Sequence, residues 1–117
     1  MNNKAMMIKP LSNVALFVDE TIGTKQQIQV EMDKVLFYDQ FVSNVFVEHG
    51  FPYRNTMKSW AVRKRINFVH GVGNIRNSVE NGVRKTVVYI GRNRQSIHYT
   101  RAKQLADELS CDLLILP

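Results

Sequence analysis

The C-terminal third constrains the fold most. "VRKTVVYIG" reads as a strand centred on Val87-Val88-Tyr89-Ile90. "TRAKQLADELS" reads as a helix with Ala102, Leu105, Ala106 and Leu109 on its apolar stripe, and Ile97 joins that stripe if the helix starts early. "CDLLILP" closes as a short apolar strand. Strand, helix, strand is a βαβ unit, which implies parallel strands joined by a right-handed crossover. The rest of the chain must supply strands that extend this sheet and helices that cover it.

Upstream, "NVALFVDE" (13–20) is rich in β-branched and aromatic residues and predicts a buried strand. "QQIQVEMD" (26–33) alternates, with Ile28, Val30 and Met32 on one side and Gln27, Gln29, Glu31 and Asp33 on the other. That period of two predicts a half-exposed antiparallel strand, joined to the first by a hairpin through Gly23. The run from Lys34 to His49 repeats apolar residues at three and four. It predicts a helix with Asp33 at its start and Gly50 past its end. Asn55 or Thr56 can cap a second helix reaching about His70, with Val62, Ile66 and Val69 inward. The glycine- and asparagine-rich connection after it can hold a short helical turn at Ile75 to Glu80. The expected order is β-β-α-α-β-α-β. It gives a single α/β (or α+β) domain over 13–117 with a mixed sheet of about four strands, after a flexible N-terminal segment, 1–12.

A length of 117 residues suits one domain, and 44% hydrophobic residues suffice for a core without metal or disulfide staples. The single cysteine, Cys111, cannot form an internal disulfide or a cysteine-based zinc cluster, and beside "LLIL" it reads as a small buried hydrophobe. The apolar run Val14 to Val18 is too short for a signal-peptide core, and no run approaches a membrane span. These features predict a cytoplasmic protein with no membrane partner.

Charge is concentrated. Residues 1–53 carry four cations and six acids, residues 54–103 twelve cations and one acid, and residues 104–117 three acids and no cation. Such a basic block is the footprint of a polyanion partner, or else a solvated face. Eight of its twelve cations are Arg, whose planar fork matches phosphate. The expected function is therefore a small nucleic-acid-binding accessory protein, for DNA or RNA. Arg54, Lys58, Arg63, Lys64 and Arg65 are expected to lie along one helix. Arg76, Arg84, Lys85, Arg92, Arg94, Arg101 and Lys103 would extend the contact. Three consecutive helical residues such as Arg63-Lys64-Arg65 fan over about 200°, so one core contact cannot bury them all. Trp60 reads either as a platform for stacking bases or as core.

The second candidate site is the loop "GRNRQSIHYT". It runs from the carboxyl end of a strand into a helix, the place where open α/β sheets bind ligands. A phosphate there would meet Gly91, Arg92, Arg94, Ser96, His98 and Thr100. It supports an alternative function, binding or converting a phosphorylated compound. A third reading is a protein-interaction or inhibitor module whose basic face meets an acidic protein. No catalytic residue can be assigned. The nucleotide-hydrolase loop is missing, because Asn74-Ile75 stands after "GVG" where Lys-Ser/Thr belongs, and GxGxxG is absent. Neither cofactor nor metal is expected. Asp19, Glu20 and Asp112 are the acids best placed for a metal nuclease, but acids at strand ends more often form turns. The apolar excess of Phe37, Phe41, Phe46 and Val47 leaves a homodimer possible on area grounds.

Overall fold

The first strand forms where the chain is most uniformly apolar. In the computed structural model, which describes residues 12–19, 22, 24–48, 53–78 and 84–116, β1 (Ser12–Val18) is buried along its whole length. A strand buried on both faces belongs at the centre of a parallel sheet. β1 pairs in parallel with β2 (Val42–Val47) on one side and β4 (Arg84–Ile90) on the other. β3 (Asn67–His70) extends the sheet beyond β2, and β5 (Leu113–Leu116) extends it beyond β4. The order is β3-β2-β1-β4-β5 with every pair parallel. The chain is thus a single α/β domain, with five parallel strands, three α-helices and one 3₁₀ helix among the described residues. The expected C-terminal βαβ unit is present as β4, α3 (Ile97–Leu109) and β5.

The expected hairpin and mixed sheet are not. Residues 26–33, expected as an antiparallel strand, lie in α1 (Lys25–Tyr38). Ile28, Met32 and Val35 are buried at helical spacing, and Val30 is 54% exposed. Val30 is the one residue that made the stretch alternate. The start signal is a capping box: Thr24 Oγ1 accepts from Gln27 N at 3.1 Å, and Gln27 Oε1 accepts from Thr24 N at 3.1 Å. The expected helix from Lys34 to His49 is split. Asp39 Oδ1 accepts from Phe41 N at 2.9 Å, a local turn that ends α1, and the β-branched run that follows becomes β2. His49, Gly50 and residues 1–11 of the expected flexible segment 1–12 lie outside the described residues, and its last residue, Ser12, opens the strand β1 instead.

The second expected helix also stops early. α2 (Arg54–Arg63) ends in a left-handed cap, with Arg65 at φ 60°. Ile66 N donates to Ala61 O at 2.9 Å and Arg65 N to Val62 O at 3.1 Å, the paired bonds of a Schellman motif. Glycine usually takes that position, and an arginine there carries no local signal of a helix end. The remainder of the expected helix is β3, and His70 ends a strand rather than a helix. The short turn falls three residues early, as the 3₁₀ helix Val72–Asn77.

Helices flank both faces. Val35 and Tyr38 of α1 border Val14 and Val88 on one face of the sheet. On the other, Leu105 of α3 lies by Phe17, and the Tyr99 ring meets Tyr89 edge-on at 5.1 Å. Trp60 is core, and its Nε1 donates to Asp33 at 2.8 Å. Phe46 and Val47 are buried too, whereas Phe37 is 86% exposed. Among the described residues no helix is long and apolar enough to cross a membrane.

Candidate nucleic-acid interface

Parallel strands place all their carboxyl ends on one edge, and the chain reverses order beside β1: β2 and β3 lie to one side, β4 and β5 to the other. The crevice between the ends of β1 and β4 is the topological switch point, where sheets of this kind bind ligands. The Gly91–Thr100 loop leaves β4 at that point.

Its geometry is set by Asp19, which follows β1 and is 2% exposed. Asp19 N donates to Ile90 O at 2.8 Å, and its Oδ2 accepts from Asn93 N at 3.1 Å. Gly91 sits against it at φ 146°, and a Cβ there would lie 2.2 Å from that of Asp19. Only glycine fits both the backbone angle and the space. Tyr89 Oη donates to Asn93 O at 2.7 Å, tying down the other side of the turn. Ser96 then caps α3, its Oγ accepting from His98 N at 3.1 Å. Thr100 N donates to Ser96 O at 3.2 Å. Ser96 therefore serves the fold as the cap of α3. Arg92 and Arg94 remain exposed, and among the described residues neither forms an ion pair with a carboxylate. Arg94 lies over the Tyr99 ring at 5.3 Å, and Lys103 over the same ring at 5.7 Å.

Glu48, just past β2, is the second buried carboxylate of this edge, at 5% exposure. It holds the first turns of α3, taking a short contact from His98 Nδ1 and a 2.6 Å hydrogen bond from Arg101 Nη1. Glu48 is a site residue absent from the sequence-based expectations. It follows a strand that the helical reading of 34–49 concealed. Beyond it, Arg76 of the 3₁₀ helix forks onto Glu108 of α3, with Nη2 to Oε1 at 2.9 Å and a shorter contact from Nε. That bond holds the exposed Glu108 carboxyl below the ordinary carboxylate range. Arg54 begins α2 near the end of β3, 3.4 Å from His70 Nδ1.

The remaining expected cations lie elsewhere. Arg63, Lys64 and Arg65 close α2 at the amino edge of the sheet, where Arg84 and Lys85 begin β4. Only Arg63 of that triplet is helical, and all three stand where cations complement a helix C-terminus. Lys64 approaches Asp33 at 3.7 Å, and Arg84 meets Asp39 at 3.0 Å. Lys58 is exposed in the middle of α2. So the basic block divides between two edges about 20 Å apart, the length of β4. Asp19 and Asp112 likewise stand at opposite edges, and Glu20 lies outside the described residues. Among the described residues no three His, Cys, Asp or Glu side chains gather into a metal site. Comparison of the chain with protein-family models, with curated proteins and with solved structures finds no match.

Proposed function

We propose that this protein binds nucleic acid, with phosphates held along the carboxyl edge of the sheet. The observation that supports it is the loop at the switch point. Hydrogen bonds to Asp19 and from Tyr89 fix the loop's backbone, while Arg92 and Arg94 face solvent without carboxylate partners among the described residues. Arg54, Arg76 and Arg101 lie on the same edge. From β3 to β4 that edge crosses three strand spacings, about 14 Å at about 4.8 Å each. One phosphate group cannot reach across it, so the spread favours a polymer over a single phosphorylated ligand.

The test is binding of labelled single- and double-stranded oligonucleotides at about 50 and about 200 mM salt. Each phosphate contact should lower log affinity by about 0.7–0.9 per tenfold rise in salt, and several contacts give a steep slope. Absence of binding at low salt would overturn the proposal. The same experiment distinguishes DNA from RNA.

A further inference from the structure

The 3₁₀ helix and α3 leave a crevice of about 180 Å³ between them at the carboxyl edge. Phe17 and Glu48 line its base, and Arg76, Arg101, Gln104 and Glu108 its sides. We propose that this crevice receives the terminal phosphate of a nucleic-acid strand, an inference that rests on the nucleic-acid reading above. The crevice has the size of a phosphate group. Sites for drug-sized ligands run to about 300–1,000 Å³, so a base with its sugar is too large here, while a phosphate group fits.

The charge of the crevice suits a dianion. Arg76 and Arg101 reach the crevice from opposite walls, and each is held by a carboxylate, Arg76 by Glu108 and Arg101 by Glu48. The two carboxylates differ. The Glu48 side chain is 7% exposed and bonded to both His98 and Arg101, whereas that of Glu108 is 48% exposed. Glu108 can turn into solvent; Glu48 cannot. A phosphate monoester carries about −1.5 to −2 charges and three terminal oxygens. A backbone diester carries one charge and two. The monoester can displace Glu108 and take both guanidinium forks, leaving Glu48 to balance one of them. The Arg76–Glu108 pair acts as a closed latch that only the more highly charged end group opens.

The experiment compares one labelled oligonucleotide sequence ending in a 5′-phosphate, a 3′-phosphate or a hydroxyl. A phosphorylated end should bind about tenfold tighter, the scale of one hydrogen-bonded charge. Arg76→Gln should remove that difference. Glu108→Gln should widen it by about two- to fivefold, the range spanned by breaking an exposed ion pair. Inorganic phosphate at constant ionic strength should compete it away. Glu108 is on the surface, so Glu108→Gln decides the matter even if Arg76→Gln folds poorly. Equal affinity for all three ends, in the parent and in Glu108→Gln, would overturn the inference and leave the broader reading standing. Loss of all oligonucleotide binding would overturn both.

Discussion

The two edges of the sheet carry similar numbers of cations but arrange them differently. At the amino edge Arg63, Lys64 and Arg65 complete a helix end, and Arg84 and Asp39 pair beside them. Those four cations each have a local reason that needs no ligand. At the carboxyl edge two buried carboxylates, Asp19 and Glu48, organise a loop and a helix start, and arginines stand around them. Density of charge in the sequence marks the first edge more strongly. Buried polar scaffolding marks the second, and polar groups are buried at a cost only where the surroundings satisfy them.

The largest effect should come from disturbing that scaffold. Gly91→Ala sets a Cβ against Asp19 and strains a positive φ, so urea unfolding should show a loss of about 3 kcal/mol. A loss under about 1 kcal/mol would mean that the turn is not held as described. The next comparison sets one carboxylate against the other. Glu48→Ala removes the acceptor shared by His98 and Arg101 and should cost about 2 kcal/mol. Asp39→Ala, at the amino edge, breaks a turn and a more exposed pair and should cost about 1 kcal/mol. Equal costs would erase the distinction between the edges.

Much of the fold was legible where local signals agreed. The C-terminal unit combined a β-branched strand, a helical stripe and a second apolar run, and no competing pattern intervened. Residues 26–38 failed because Val30 made a helix look like a strand, while Thr24 and Gln27 held the contrary signal of a capping box. Residues 42–47 failed because an apolar stretch of mixed spacing fits helix and strand alike, and only the Asp39 turn separates it from α1. The site followed the same logic. The Gly91 loop was visible because strand, glycine and helix start lie together in sequence. Glu48 reaches α3 from 50 residues away, and a pairing of that span leaves no mark on local sequence.

The smallest effect concerns Cys111, which lies just before β5 at the amino edge. Burial raises its thiol pKa above the ordinary value, with a partly offsetting backbone hydrogen bond involving Val87. The folded state disfavours the thiolate. Stability from this group is therefore intact below the ordinary thiol pKa and declines as pH rises through it. Alkylation of the folded protein should reach half-maximal rate at a higher pH than alkylation of the denatured chain. Coincident profiles would place the thiol in water.

On the proposed function, the carboxyl edge, not the denser amino-edge cluster, holds nucleic-acid phosphate. The direct measurement is oligonucleotide anisotropy at about 50 mM salt for two variants of equal charge change, Arg92→Glu/Arg94→Glu and Arg63→Glu/Arg65→Glu. The first pair should abolish detectable binding, and the second should lower affinity only by the long-range charge effect. The reverse ranking would assign the phosphates to the end of α2 and rule out the carboxyl edge as the binding surface.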